Sequence, residues 1–418
     1  MPRKIVYDQL NQILVSDTAL PDSLILINSS DWQGQYVADS LQVQKHPVVC
    51  TCSVSEIQAV LSALLTRIQK FCNCNSVTPK PVKVVAVGGH NYLGAILRFF
   101  VSQLANKMSD WLGHLKFLVV PLGSHPVAKY LGSLDNRYRS AFLDSAWREL
   151  FSRTDPPQPE GVDVAGRIGQ YIDGATVTYQ LPIAEAMLTC KHKIHEDDSC
   201  QNFVPFVGVV KVGLIEPMAG LSVGDLEEGV SLSLIVPSTS PPAHVMSSGM
   251  IKESATPPPS PSLSGSPSMS HGADAIGLQV DYWVAEKRKD GERRDTKNTL
   301  KSAFRSLQVS RLPSSSISEL QPNSCTMAMT VVTKEKNKKV PTIFLGKKPK
   351  ERDTESKSQV IEGITRLICS AKHQQTSIRV SVDGMEWNDV KFFQLASQWP
   401  THVKYLPVGL FSCSKIAS

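Results

Sequence analysis

VKVVAVGGHNYLGAILRFFVSQL, residues 82–104, joins a short apolar run to a glycine turn and an amphipathic segment. The run at residues 82–87 is rich in valine on both faces, a pattern typical of a buried strand in a parallel sheet. After the turn, apolar residues recur along one helical face. They are Leu93, Ile96, Leu97, Phe100, Val101 and Leu104. The stretch therefore predicts a strand–turn–helix unit.

The same unit recurs through the N-terminal half of the chain. Similar apolar runs lie at residues 24–27, 48–52 and 115–120. Ser53 and Glu56 have the spacing of a capping box, ahead of an apolar helical stripe that runs from Ile57 to Phe71. Alternation of strands and helices at this spacing predicts a doubly wound, largely parallel α/β sheet.

The second half predicts a mixed α/β fold. Its apolar runs predict strands at residues 203–214, 230–236, 276–286, 327–333 and 342–345. Residues 360–371 predict a helix, and another helix is predicted between strands at 377–382 and 403–406. Asn388 fits the N-cap of that second helix. Its apolar face, spaced i, i+3, i+4 and i+7, consists of Phe392, Leu395, Ala396 and Trp399.

Two insertions interrupt this half. Residues 237–275 contain 8 prolines, 11 serines and no aromatic residue, so they bury too little surface to offset the entropy of ordering. Residues 287–324 predict a second, flexible insertion, partly helical at best around residues 300–307. The expected order is an α/β domain at 1–236, a Pro/Ser-rich disordered insertion at 237–275, a returning strand at 276–286, a basic flexible insertion at 287–324 and a C-terminal α/β portion at 325–418.

Positive charge is concentrated in one segment. The formal net charge is +6, but residues 286–352 hold 17 Lys and Arg against 7 Asp and Glu, a local balance of +10, so the remainder sums to −4. We therefore expect an electrostatic partner to bind there. The candidate partner- or anion-binding residues are Lys287, Arg288, Lys289, Arg293, Arg294, Lys334, Lys336, Lys338, Lys339, Lys347, Lys348 and Lys350.

These clusters leave four interpretations open: solvated loops, an acidic protein partner, anionic lipid headgroups and a nuclear import signal. Nucleic acid is less favoured, because aromatic residues do not interleave with the charges. Candidate phosphosites are Thr256, Ser260, Ser266, Thr296 and Ser314. Because a phosphate adds about −1.5 to −2 charge, phosphorylation at the last two would cancel part of the basic segment's charge and switch its partner.

The glycine turn is a candidate anion-binding turn. Gly88, Gly89 and His90 lie between a predicted strand and a predicted helix, where backbone N–H groups can hold phosphate. The spacing is not G-x-G-x-x-G, and Ala95 and Ile96 stand where a P-loop has Lys and Ser or Thr. A purely structural turn is the favoured interpretation.

Other chemical motifs lack the context that their chemistry needs. Residues 220–224 spell G-x-S-x-G without the strand and helix of a nucleophile elbow. Loosely spaced metal-ligand types are Cys190, His192, His195 and Cys200. Histidines near predicted strand ends, with no carboxylate placed to orient them, are His90, His114 and His125. We predict no catalytic residue, no metal and no cofactor.

The sequence favours an intracellular protein. No apolar run approaches the ~18–20 residues that span a bilayer. Lys4 and Asp8 interrupt any signal-peptide core near the start. Nine cysteines, an odd number, indicate reduced thiols in cytosol or nucleus rather than a disulfide framework.

Three segments resemble a known family. EWNDVKFFQLASQWPTHVKYLPVGLF at residues 386–411, SSDWQGQYVADSLQ at 29–42 and LQVDYW at 278–283 are similar to the phosphofurin acidic cluster sorting proteins, which are cytosolic adaptors of membrane traffic. The resemblance covers essentially the whole chain. Nothing in it matches the family's cargo-binding region or its acidic autoregulatory segment.

The resemblance implies a non-enzymatic interaction or scaffold region of a sorting adaptor at the trans-Golgi network, endosomes and ER–mitochondria contacts. It also implies trafficking proteins and a WD-repeat propeller protein as partners. Two alternatives remain: a degenerate nucleotide- or phosphometabolite-binding α/β enzyme that uses the glycine turn, and a peripheral module that binds anionic lipid headgroups through the lysine clusters.

Overall fold

A computed structural model describes residues 2–16, 19–105, 107, 109–157, 161–191, 199–212, 275–287, 293–312, 326–334, 356–373 and 376–412. Its helices are α1 Lys4–Ile13, α2 Trp32–Val43, α3 Val54–Cys74, α4 His90–Leu104, α5 Pro126–Leu134, α6 Asn136–Phe142, α7 Ser145–Ser152 and α8 Val164–Gly174, with a 3-10 helix at Ser109–His114. Within these residues, no helix combines the length and apolar character needed to cross a membrane.

The first sheet confirms the prediction of a largely parallel α/β sheet in the N-terminal half. Its strands are β1 Ser23–Asn28, β2 Val48–Thr51, β3 Val82–Gly88, β4 Leu115–Pro121, β5 Val177–Pro182 and β15 Tyr405–Leu410. They lie in the order β2-β1-β3-β4-β15-β5, parallel from β2 to β15, with β5 antiparallel at one edge. The apolar runs that predicted β1 to β4 are almost wholly buried. Helices pack on this sheet and complete a continuous hydrophobic core.

The predicted capping box is realised only in part. Ser53 Oγ accepts the Glu56 N–H at 3.4 Å, as expected at the N-cap of α3. The Glu56 carboxylate instead accepts the Cys52 N–H at 2.7 Å and the Arg3 Nε–H at 2.7 Å. Glu56 thus ties α3 to the start of the chain.

The second sheet is antiparallel. Its strands are β6 Ala184–Lys191, β7 Ser199–Phe206, β8 Val209–Val212, β9 Ile276–Lys287, β10 Arg293–Ser310, β11 Met327–Lys334, β12 Ser356–Ala371, β13 Ile378–Val382 and β14 Met385–Ala396. The pairs β9–β10, β10–β8, β8–β13, β13–β14, β14–β12 and β12–β9 close a six-stranded barrel. Strand β11 joins β10 to β12, and the β6–β7 hairpin extends β14.

Two helix predictions in this half are wrong. Residues 360–371 lie in strand β12, and the segment from Phe392 to Ala396 belongs to strand β14. The basic flexible insertion is also wrong over residues 293–310, which form strand β10. Each of these strands contains a β-bulge. A bulge adds one residue to the strand, so the two inward-facing residues on either side of it are three positions apart instead of two. That spacing resembles the spacing of apolar residues on one face of a helix.

Other strand predictions are confirmed. Strands β9, β11 and β13 match the runs predicted at 276–286, 327–333 and 377–382. The prediction at 203–214 corresponds to the end of β7 and to β8. The predictions at 230–236 and 342–345 lie outside the described residues, as does the predicted insertion at 237–275 except for Ala275.

The chain crosses between the two sheets and returns. Strand β5 of the first sheet leads directly into β6 of the second, and the Ile183 N–H donates to the Lys404 carbonyl at 2.9 Å. After β14 the chain comes back as β15, between β4 and β5. Both sheets therefore belong to one compact unit.

Candidate functional site

The glycine turn lies at the carboxyl end of β3. Gly88 ends the strand, Gly89 is the N-cap of α4, and His90 is the first residue of that helix. A Cβ at Gly88 would lie only 2.8 Å from the Tyr92 ring, so this position requires glycine. The Tyr92 hydroxyl in turn contacts Thr51 Oγ1 at 2.7 Å, which anchors the first turn of α4 to the end of β2.

A carboxylate from the barrel is buried at this turn. Asp383 begins the tight turn between β13 and β14, with φ of 47° and a side chain that is 2% exposed. Its oxygens accept three consecutive backbone N–H groups, from Val207 at 2.9 Å, Gly208 at 3.1 Å and Val209 at 2.8 Å. Three such donors stabilise a buried carboxylate.

His90 lies against this carboxylate. Its Nε2 is 3.3 Å from Asp383 Oδ1, although the pair lacks hydrogen-bond geometry. A Cβ on Gly208 would lie 2.5 Å from His90 Nε2 and 2.8 Å from Asp383 Oδ1, so the β7–β8 link packs directly on both. The anion that occupies the neighbourhood of the glycine turn is therefore the protein's own Asp383.

Arg98 and His125 complete the surroundings of this contact. Burial lowers the pKa of Arg98, and the Asp383 charge acts in the opposite direction. The Arg98 guanidinium contacts Met385 Sδ, so α4 also touches the start of β14. The His125 ring lies 5.2 Å from the His90 ring, centroid to centroid.

His125 is a helix cap. Its Nδ1 accepts the Ala128 N–H at 3.2 Å, at the N-terminus of α5. Burial, and next the neighbouring His90, hold the pKa of His125 far below its usual value, so its ring stays neutral. In the described part of the chain, no serine, threonine or cysteine hydroxyl or thiol hydrogen-bonds to either imidazole. The arrangement joins the two sheets and contains no activated nucleophile.

The basic segment is described only in part. Lys287 ends β9, Arg293 and Arg294 begin β10, and Lys334 ends β11. In the β9–β10 ladder, Arg293 is opposite Lys287. The candidates outside the described residues are Arg288, Lys289, Lys336, Lys338, Lys339, Lys347, Lys348, Lys350, Thr256, Ser260, Ser266 and Ser314.

Thr296 is the one candidate phosphosite among the described residues. It is exposed, but its backbone pairs with Val284 in the β9–β10 ladder. A kinase acting on Thr296 would therefore meet a paired strand rather than a free loop.

A second group of cations lies on the outer surface of the barrel. Lys297 Nζ lies 5.4 Å from the centroid of the Trp283 ring, and Arg366 Cζ lies 5.0 Å from it. Lys301 shares the face of Lys297 because side chains alternate along β10. We call Trp283, Lys297, Lys301 and Arg366 the Trp283 face.

Hydrogen bonds fix the surroundings of the Trp283 face. Arg366 Nη2 donates to Gln394 Oε1 at 3.0 Å, on the neighbouring strand β14. Asp281 accepts from Thr299 Oγ1 at 2.6 Å and lies 3.6 Å from Lys297 Nζ. The Thr299 hydrogen bond is the main reason that the pKa of Asp281 is lowered.

The remaining sequence candidates show no assembled site. Among the described residues, no group of three His, Cys, Asp or Glu is arranged to hold a metal ion. His114 ends the 3-10 helix with its ring 5.8 Å from that of Trp111, a packing contact. His192, His195 and residues 220–224 lie outside the described residues.

Sequence reasoning missed Asp383 and the Trp283 face. Asp383-Gly384 is a turn dipeptide between two strands, and this signal could have placed the turn. Nothing local indicates that the carboxylate reaches residues 207–209, more than 170 positions away in sequence. Trp283 was noted only within the LQVDYW segment.

Comparison with known proteins supplies the family. A family model described as "PACS-1 cytosolic sorting protein" matches residues 6–414. The chain belongs to this family. It is 66% identical to human phosphofurin acidic cluster sorting protein 1 over 99% of its own length and 44% of that protein. It is 55% identical to human phosphofurin acidic cluster sorting protein 2, over 99% of its length and 47% of that protein.

The chain spans less than half of the length of the curated relatives it matches. Those relatives are named as sorting proteins and not as enzymes, in agreement with the non-enzymatic prediction at the level of the family. Among solved structures, a putative diacylglycerol kinase from Bacillus anthracis aligns over 91% of this chain and 94% of its own, at 10% identity and a TM-score of 0.38. A likeness of that size carries no argument about activity.

Proposed function

We propose that this chain is the protein-interaction region of a cytosolic sorting adaptor, active at the trans-Golgi network, endosomes and ER–mitochondria contacts. Membership of the family over residues 6–414 supports this role. The relatives' names, which describe sorting proteins, also support it.

The observation that carries the proposal is the pair of cations around Trp283. Lys297 on β10 and Arg366 on β12 contact the Trp283 ring from the two strands that flank β9, at 5.4 and 5.0 Å. Tryptophan and arginine are the residue types that dominate binding energy at protein interfaces. The strands beneath them, β9, β10 and β12, are paired on both sides, so the face is held in place before a partner binds.

The partner that suits this face is an acidic segment of another protein. Lys297 and Arg366 offer charge-assisted hydrogen bonds to carboxylates, and the Trp283 ring offers apolar area between them. The adjacent carboxylates of Asp281 and Asp295 already accept hydrogen bonds from Thr299 and Thr365.

A charge-neutral variant tests the proposal. Lys297→Gln with Arg366→Gln removes both cations and keeps side chains of moderate length. The matched control, Lys129→Gln with Arg153→Gln, removes the same charge from exposed positions on the helical layer. Affinity capture from cytosol should recover a stoichiometric, acidic trafficking protein with the intact chain and with the control, but not with the Trp283-face variant. A WD-repeat propeller protein is the first partner to look for.

Two outcomes would replace the proposal. Equal capture by the variant and the control would move the protein interface away from the Trp283 face. Loss of sedimentation with phosphoinositide liposomes, with protein capture unchanged, would assign the face to lipid headgroups. The nucleotide-binding alternative is not favoured, because Asp383 is buried beside His90 at the glycine turn. A thermal-shift screen with nucleotides, expected to be flat, checks it.

A further inference from the structure

Two cysteines lie opposite each other at the edge of the second sheet. Cys190 is near the end of β6 and Cys200 is near the start of β7, and the register of the hairpin pairs them directly. Among the strands of the described residues, β7 is the edge of the sheet, because its one partner there is β6. Both thiols are free, Cys190 buried and Cys200 exposed.

The register places the two cysteines at a distance that a disulfide can bridge. Directly opposed residues of an antiparallel pair have Cα atoms about 4.5 or 5.5 Å apart, depending on the hydrogen-bonding position. Disulfides span Cα distances of about 4.4–6.8 Å. Opposed side chains also project from the same face of the hairpin. The backbone therefore needs no rearrangement to bring the two sulfurs together.

The electrostatics agree with this proximity. Burial raises the pKa of the Cys190 thiol, and the neighbouring charge of Cys200 raises it further. Asn202 Nδ2 donates to Cys200 Sγ at 3.6 Å, so the Cys200 sulfur is hydrogen-bonded within β7. The exposed Cys200 is thus the thiol that reagents reach first, and Cys190 is the one placed to resolve the product.

We propose that Cys190 and Cys200 form a reversible disulfide that fastens β7 to β6 when the surrounding thiol pool is oxidised. The oxidant is a small disulfide such as oxidised glutathione. The Cys200 thiolate attacks it, forming a mixed disulfide and releasing one glutathione thiolate. The Cys190 thiol then loses its proton and attacks the Cys200 sulfur, which releases the second glutathione. Two protein thiols are oxidised and one glutathione disulfide is reduced.

The disulfide would hold the edge strand β7 in its register with β6. An exposed edge is prone to slip in register or to pair with another chain. A covalent link between directly opposed residues fixes the register of β7 against β6. Reduction by excess glutathione releases it, because the exposed Cys200 sulfur is open to attack.

Mass spectrometry of the full chain tests this assignment. The reduced protein is incubated with oxidised glutathione, its remaining thiols are alkylated under denaturing conditions, and it is digested without reductant. We expect a peptide cross-linked between Cys190 and Cys200, with a mass about 2 Da below the sum of the two reduced peptides because two hydrogens are lost, and reversal by reduced glutathione. Cys50→Ser with Cys52→Ser, the matched control, should leave this cross-link unchanged.

The single variants separate the two chemical steps. Cys190→Ser removes the resolving thiol, so the protein should stop at a glutathione adduct on Cys200. Cys200→Ser, at an exposed position, should abolish the cross-link without creating another. The proposal is overturned if the unsubstituted chain stops at that adduct, or if Cys200 cross-links instead to a different cysteine.

Discussion

Replacing Asp383 measures how strongly its carboxylate joins the barrel to the glycine turn. Asp383→Gly removes the carboxylate yet tolerates the φ of 47° found there. The change leaves the N–H groups of Val207, Gly208 and Val209 buried without their acceptor. Hydrogen bonds to a charged group contribute about 1.5–3 kcal/mol each, and loss of one partner of a buried charged pair costs about 3–5 kcal/mol. We expect the free energy of unfolding to fall by about 4 kcal/mol.

The assay is urea unfolding at neutral pH, followed by far-ultraviolet circular dichroism and by tryptophan fluorescence. Asp383→Asn is the matched control, because it keeps one carbonyl acceptor and also tolerates a positive φ. We expect it to lose about 2 kcal/mol, since neutral acceptors form weaker hydrogen bonds. A loss below about 1 kcal/mol for Asp383→Gly, within the range of ordinary surface substitutions, would refute the reasoning.

Three further predictions concern stability. The Arg3 side-chain hydrogen bond is the main factor that lowers the pKa of Glu56 from 4.5 to about 2, so the ionised carboxylate stabilises the fold fully above pH 4.5 and less as the pH falls towards 2. Glu56→Gln should therefore lower the free energy of unfolding by about 2 kcal/mol at pH 7, and in an acid titration the variant should lose less stability than the unsubstituted chain. Gly208→Ala should lower the free energy of unfolding by about 2–4 kcal/mol, because its Cβ would lie 2.5 Å from His90 Nε2. The control Gly113→Ala has open space around its Cβ and should change the midpoint of urea unfolding little. The pKa of His125 in the folded chain lies below its unfolded value of 6.5, so the unfolded chain takes up a proton first and the protein loses stability as the pH drops below about 6.5. His125→Asn keeps a capping acceptor, and in thermal melts it should lose less stability between pH 7 and pH 5.

The parallel sheet could be predicted because each of its strands carries its own signal. The run at residues 82–87 is apolar on both faces, and every residue of it except Lys83 is buried. That composition is typical of a parallel strand covered on both faces. The antiparallel pairing of β15 with β5 could not be predicted from the local sequence, because the two strands are more than 200 residues apart in the chain.

The barrel could not be predicted because the apolar residues of its bulged strands have a spacing that resembles that of a helix. In β10, buried Phe304 and Leu307 are three residues apart, on either side of a bulge. In β12, Ile364 and Leu367 show the same spacing across another bulge, which follows Gly363 with its φ of 77°. A period of three at a single point cannot be distinguished from the 3.6-residue period of a helix without knowing the neighbouring strands.

Part of the candidate site could be predicted from the sequence in the same way, and part of it could not. Gly88, Gly89 and His90 could be placed at a strand–helix junction, because the turn and both flanking elements are contiguous. Their buried neighbour Asp383 is contributed by another sheet and could not. Lys297 and Lys301 were counted within the basic segment and Arg366 lies outside it, but the convergence of Lys297 and Arg366 on one ring depends on the pairing of β9 with β10 and β12.

Cross-linking of captured complexes tests the interaction role most directly. Complexes isolated from cytosol on the intact chain would be treated with an amine-reactive cross-linker and mapped by mass spectrometry. We expect Lys297 and Lys301, both exposed on β10, to cross-link to a partner near an acidic segment of that protein. Cross-links confined to lysines of the helical layer, such as Lys129, with Lys297 and Lys301 unmodified by any partner, would contradict it.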